Sequence, residues 1–160
     1  MKKLSVFTGF AVLAVLLPGL LTAQTDPAIG TWKLNLAKSK YSGSPAPKSL
    51  TATIEAAGAG IKNTSEGVAS DGSRIAYSYT ATLDGKESPM TGTGTPNGAD
   101  TISLTKTGPN SLDATLKKGG KVVLNGKSVI SKDGKTRTLT STGTNPAGQA
   151  TKTTAVYDKQ

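Results

Sequence analysis

The sequence predicts an all-β protein, an antiparallel up-and-down meander that closes into a barrel of about eight to ten strands. Three observations predict it. From Gly30 to the C-terminus, short segments alternate apolar and polar residues with a period of two, and none carries the pattern of an amphipathic helix. Gly, Pro, Asn and Asp part these segments at close intervals, so successive strands join by hairpins and lie side by side. Nine or ten strands also exceed what a small flat sheet carries without curling or closing, and closure removes both open edges. The alternative is a two-sheet β-sandwich, with the weakly patterned stretch 86–100 as the gap between sheets.

The first strand is Gly30-Thr31-Trp32-Lys33-Leu34-Asn35, with Trp32, Leu34 and Leu36 on one face. Leu50, Ala52, Ile54 and Ala56 share a face of the second, which Gly58-Ala59-Gly60 ends. Residues 61–68 return as a third. Ser70-Asp71-Gly72 then turns into the strongest strand, where Ile75, Tyr77, Tyr79, Ala81 and Leu83 alternate with polar or small residues. Asp84-Gly85 is a hairpin signal of the kind in which both turn residues take positive φ. In residues 86–100, Pro89, Gly92, Gly94, Pro96 and Gly98 break any long ladder, so a short edge strand and a loop are expected. Strands at 101–107, 111–118, 121–130, 137–144 and 151–159 follow, joined at Gly108-Pro109-Asn110, Gly119-Gly120, Asp133-Gly134 and Asn145-Pro146-Ala147-Gly148.

Ahead of this domain, Met1-Lys2-Lys3 is a short basic start, residues 4–21 are mostly apolar, and Leu21-Thr22-Ala23 supplies the small residue of a cleavage site. Residues 1–23 read as a signal peptide, 24–29 as a short tail and 30–160 as one barrel domain. Gly9, Pro18 and Gly19 interrupt the apolar run, which leaves it short of the ~20 residues a membrane span needs. The expected address is export through the inner membrane, to the periplasm or the medium, as in bacterial-type exported proteins. Lipidation is not expected, because Gln24 stands where the lipid-bearing cysteine would be. Cleavage removes Lys2 and Lys3 and lowers the formal charge of +9 to +7. A chain this long buries about two-thirds of its unfolded surface and needs no disulfides, and it has no cysteine to form one.

The residue inventory excludes most catalytic chemistry, and no enzyme activity is expected. With no histidine and no cysteine, serine–histidine and cysteine–histidine nucleophiles and histidine-ligated metal sites cannot be built, so neither a metal nor a cofactor is expected. Asp71, Asp84 and Asp133 sit in Asp-Gly turns, where their side chains cap the backbone. Ser103-Leu104-Thr105-Lys106 and Lys106-Thr107-Gly108 match the Ser-x-x-Lys and Lys-Thr-Gly of penicillin-recognising enzymes, but one lysine would serve both motifs on a strand. Gly92-Thr93-Gly94 with Gly98 misses the dinucleotide fingerprint because no helix follows.

The lysines are scattered, with no arginine cluster and no interleaved aromatic residues, which excludes a nucleic-acid surface. They fit solubility and edge protection, and alternatively attraction to an anionic envelope polymer or polysaccharide. Thr138, Thr140, Thr142 and Thr144 share one face, as do Thr91, Thr93 and Thr95. Strand propensity at solvated positions explains these rows, since the chain has no internal repeat that would align them into an array.

Gly30-Thr31-Trp32-Lys33-Leu34 resembles the first strand of the calycins, the group that contains lipocalins and fatty-acid-binding proteins, whose opening strand carries Gly-x-Trp. Val156-Tyr157-Asp158-Lys159 is similar to the closing strand of fatty-acid-binding proteins. The resemblance implies a lipocalin-like barrel with a small, largely apolar ligand inside. Two departures qualify it. Residues 37–47 leave room for a turn rather than the helical lid of fatty-acid-binding proteins, and Ala155 stands where their carboxylate-binding arginine would precede the closing tyrosine. Small inward residues, Ala52, Ala56, Ala81, Ala114 and Ala155, would leave the interior partly unfilled. Tyr77, Tyr79 and Tyr157 are the candidate ligand contacts, each an apolar ring with one hydroxyl. Gly30 and Trp32 are the candidates for closing the barrel, with Trp32 sealing one end. The alternative reading is a structural module with a packed interior that meets envelope polymers through its basic exterior.

Overall fold

The structure is a computed structural model that describes residues 26–160; the predicted leader, residues 1–23, lies outside the described residues. Eleven strands, β1 (Gly30–Leu34), β2 (Lys40–Ser42), β3 (Ser49–Ala57), β4 (Gly60–Val68), β5 (Arg74–Thr82), β6 (Asp84–Thr93), β7 (Thr101–Gly108), β8 (Ser111–Lys118), β9 (Lys121–Ile130), β10 (Thr136–Thr144) and β11 (Ala150–Lys159), form one sheet. Each neighbour pair is antiparallel, and β1 bonds both to β3 and to β11, so the sheet closes on itself.

β1 and β2 are one strand broken by a 3₁₀ turn, Leu36–Lys38. β1 lies along residues 157–159 of β11 and β2 along residues 152–154. Counted together they make a closed, ten-stranded, up-and-down barrel. The break is pinned from the far end of the chain. Asn35 Nδ2 donates to Asp158 at 2.7 Å, and Ser39 Oγ donates to the Asn35 carbonyl at 2.7 Å while accepting from Val156 N–H at 2.9 Å. Leu36 therefore leaves the face shared by Trp32 and Leu34 and is 43% exposed, contrary to its expected place on the first strand.

The stretch 86–100 is also not a short edge strand. β6 has ten residues and is paired on both sides, which excludes the sandwich and its gap. Pro89 is tolerated because the β5–β6 ladder covers only residues 76–79 against 90–93, so the missing N–H falls just beyond the last pair. Gly92 belongs to that ladder: a Cβ there would lie 2.1 Å from the Ala76 carbonyl oxygen, and its φ is 109°. In the Asp84-Gly85 turn only Gly85 has positive φ, because Asp84 is already a ladder residue opposite Thr105. Its carboxylate accepts from Thr82 Oγ1 at 2.6 Å and Lys86 N–H at 3.3 Å. Asp71 and Asp133 cap their turns in the same way, accepting from Ser73 N–H and Lys135 N–H.

One end of the barrel is sealed. Trp32 is fully buried there, its Nε1–H donating to the Ala28 carbonyl at 2.8 Å, and the Lys159 ammonium lies 5.1 Å from the ring centre. The stem of Lys159 runs over Gly30, which leaves it the space of a side chain. Asp26 is tied across this end by Lys106 at 2.6 Å, and Gln160 N–H donates to Thr31 O at 2.9 Å, so residues 26 and 160 both lie at the sealed end. Ala52, Ala81 and Ala155 are buried inside and Ala114 partly so, whereas Ala56 is exposed, past the last β3 residue that β1 covers (Ile54, opposite Gly30).

Candidate ligand-binding cavity

Inward residues do not fill the barrel. A cavity of about 310 Å³ lies toward the end opposite Trp32 and opens among the loop 43–48, the turn 69–73 and the loop 94–100. Its lining is divided by strand. β6, β7 and β8 contribute Met90, Ile102, Leu104, Leu112, Ala114 and Leu116, with no polar side chain among them. The facing wall, from β10 through β11 and β2 to β5, carries hydroxyls, amides and phenols. The buried polar residues among the described residues, Asn63, Ser65, Ser128, Ser141 and Thr151, all line this one space.

All four tyrosines of the chain point into it. The structure thus brings together the three predicted from the sequence, Tyr77, Tyr79 and Tyr157, and adds Tyr41 from β2, which the sequence placed in a loop. Burial raises the Tyr79 phenol to about 12, and it raises Tyr77, Tyr157 and Tyr41 in the same direction, with neighbouring phenols adding to the shift at Tyr41 and Tyr157.

Arg137 is the one charged side chain in the lining. It opens β10 in register with Tyr157, its Nε–H donates to Ser128 Oγ at 2.9 Å, and its guanidinium carbon lies 5.9 Å from the Tyr157 ring centre. No carboxylate is within ion-pair distance of it among the described residues. Ala155 does leave the expected arginine position empty, but the neighbouring strand supplies a cation to the same interior. The sequence signal for Arg137 was its two-residue phase with Leu139 and Ser141, which also face inward. Trp32 and Gly30 stand apart from the cavity, in the sealed end.

Among the described residues no group of His, Cys, Asp or Glu could hold a metal ion, and no helix is long and apolar enough to cross a membrane. No family model and no curated protein matches the chain. Two redesigned β-barrels bound to DFHBI, mFAP1 and mFAP0, align with TM-scores of 0.44 and 0.40 and identities of 14% and 16%, covering 83% of this chain and 95% and 99% of theirs. The chain is also similar to zebrafish ileal bile acid-binding protein complexed with cholic acid, with a TM-score of 0.51 and 16% identity over 84% of this chain and 99% of that one. That likeness shows the fold, a closed antiparallel up-and-down barrel of the lipocalin and fatty-acid-binding-protein kind.

Proposed function

We propose that the barrel binds one small organic anion that is largely apolar and carries its oxygen atoms along one side. The observation that carries this reading is Arg137, a cation facing an otherwise uncharged cavity with no counter-ion among the described residues. A partly buried charge in that position is costly until an anion meets it. The apolar flank of the ligand would lie on Met90, Ile102, Leu104 and Leu116, and its polar flank on the tyrosines and on Asn63 and Ser65. A cavity of this size is at the lower end of the ~300–1,000 Å³ typical of ligand pockets. Cholic acid in the zebrafish barrel is a molecule of this general kind, which supports the reading. The lining has no histidine, cysteine or carboxylate, so we read binding without turnover.

A matched pair of fluorescent probes tests it: 1-anilinonaphthalene-8-sulfonate and the same molecule without its sulfonate, N-phenyl-1-naphthylamine. We expect one saturable site for each. A hydrogen-bonded charge contact is worth about 1.5–3 kcal/mol, so Arg137→Met should weaken the sulfonate probe about tenfold or more and change the neutral one by less than about twofold. Absence of saturable binding by either probe, or an equal loss for both, would sink the proposal.

We further propose that the protein works outside the inner membrane, on the strength of the leader read in residues 1–23. N-terminal sequencing should find a mature chain that begins at Gln24; an intact Met1 in the cytoplasmic fraction would count against export. A second reading rests on the exterior. Lys127, Thr140, Thr154 and Lys40 lie in one cross-strand row beside Lys152, and none of the three lysines has an ion-pair partner among the described residues, although Asp113 faces Lys127 in register. Such a face suits an anionic polysaccharide, and retention on one that does not fall with moderate salt would argue against it.

A further inference from the structure

The loop between β6 and β7 folds across the mouth of the cavity, and one side chain fastens it there. Asn97, in the 3₁₀ turn Pro96–Gly98, sends its Nδ2 amide to the Val123 carbonyl of β9 at 3.0 Å and to Thr151 Oγ1 of β11 at 3.4 Å. The loop leaves from one side of the mouth and is bolted to two strands on the other. Two features show that this placement is built in. Asn97 is the only described residue other than glycine with positive φ, 50°, a conformation that asparagine tolerates better than most side chains. Gly143, beside the acceptor strand, leaves the space the amide occupies: a Cβ there would lie 3.0 Å from Asn97 Nδ2.

The fastening concerns the cavity because Gly94, Pro96 and Asn97 are part of its lining. The other edges of the mouth, the loop 43–48 and the turn 69–73, send no side-chain hydrogen bond to this loop among the described residues. The C-terminal side of the loop is held separately. Asp100 N–H bonds to the Lys117 carbonyl, and Gly119 N–H donates to Asp100 Oδ2 at 2.9 Å. Ala99 is buried in the core. In the 94–98 portion, where Gly94 and Gly98 flank the turn, the two Asn97 bonds are the only side-chain hydrogen bonds to the far wall among the described residues.

We propose that Asn97 is the latch of an entry gate: the loop 94–98 must release Val123 and Thr151 before a ligand enters or leaves. The latch sets exchange rates rather than affinity, because the same bonds are broken on the way in and remade once the ligand is seated. This rests on the cavity being a ligand site, so the test has one arm with a ligand and one without. Asn97→Gly removes the amide and keeps positive φ accessible. Asn97→Asp keeps the shape and turns the donor into an acceptor that faces the Val123 carbonyl.

In stopped-flow measurements with 1-anilinonaphthalene-8-sulfonate, both variants should raise the association and dissociation rates together, about tenfold for the loss of two ordinary hydrogen bonds, with affinity within about twofold. In the free protein, amide hydrogen exchange at Gly98 and Ala99, whose N–H groups bond to Thr95 and Pro96 carbonyls, should accelerate by a similar factor. Unchanged exchange at these amides in both variants overturns the latch, whether or not any ligand binds. Faster amide exchange with unchanged probe kinetics overturns the gate, since the loop would then open without controlling entry. If the wild-type protein binds no probe, the functional reading fails and the amide measurement alone decides the latch.

Discussion

Trp32 and Arg137 owe their places in the barrel to different kinds of information. Trp32 is fixed locally: it follows Gly30 on the opening strand, and its indole N–H bonds to Ala28 only four residues back. Trp32→Ala should cost about 3–5 kcal/mol of unfolding free energy. Trp32→Phe should cost less, though the Ala28 carbonyl then loses its partner, a penalty of about 1–3 kcal/mol. Urea denaturation followed by far-UV circular dichroism would measure both; a loss under 1 kcal/mol for Trp32→Ala would mean the sealed end does not depend on it. The seal and three of the four cavity tyrosines were legible because strand phase alone orients them. Arg137 was not. It follows Lys132, Asp133 and Lys135 in a polar turn, as a solvated cation would; its phase with Leu139 and Ser141 was the one local sign, and its register with Ile130 and Tyr157 on the flanking strands is what fixes its inward direction.

Among the elements, β6 shows most clearly where reading by residue type misleads. Pro89 and Gly92 look like breakers, yet the ladder tolerates the one and requires the other, and neither reason is local. Gly92 is needed because β5 passes too close for a Cβ, so Gly92→Ala should destabilise by clearly more than the ~1 kcal/mol that positive φ alone costs. Gly119, in the β8–β9 turn, also has positive φ, 53°, but nothing lies within 4 Å of a Cβ there. Gly119→Ala should show only the backbone cost. The difference between their thermal midpoints separates the two effects, and equal losses would contradict the close approach. The Asp-Gly turns were readable because their capping bonds span two residues. The broken opening strand was not, since its pins at Val156 and Asp158 come from the other end of the chain.

For the whole molecule, closure followed from counting strands, while the small inward residues pointed to an unfilled interior and left a packed one open. What counting could not supply was the division of the lining into an apolar and a polar wall, which depends on which strands end up opposite one another. Gathering every tyrosine into that interior couples stability to alkaline pH. Each phenol has a folded-state value above its ordinary 10.0, so the protonated form favours the fold. That contribution is complete below about pH 10 and is lost as pH rises through the folded values, about 12 for Tyr79. The urea midpoint should therefore fall between pH 10 and 12, together with phenolate absorbance at 295 nm. Phenolate that appears near pH 10 with no loss of stability would contradict the burial. The meeting of residues 26 and 160 at the sealed end has a consequence for engineering. A short linker could join them and the chain be reopened at another turn, giving a circular permutant of the same barrel. A tether at either end would leave from the floor and hold the mouth outward, so the protein could be fixed to a surface with its cavity free.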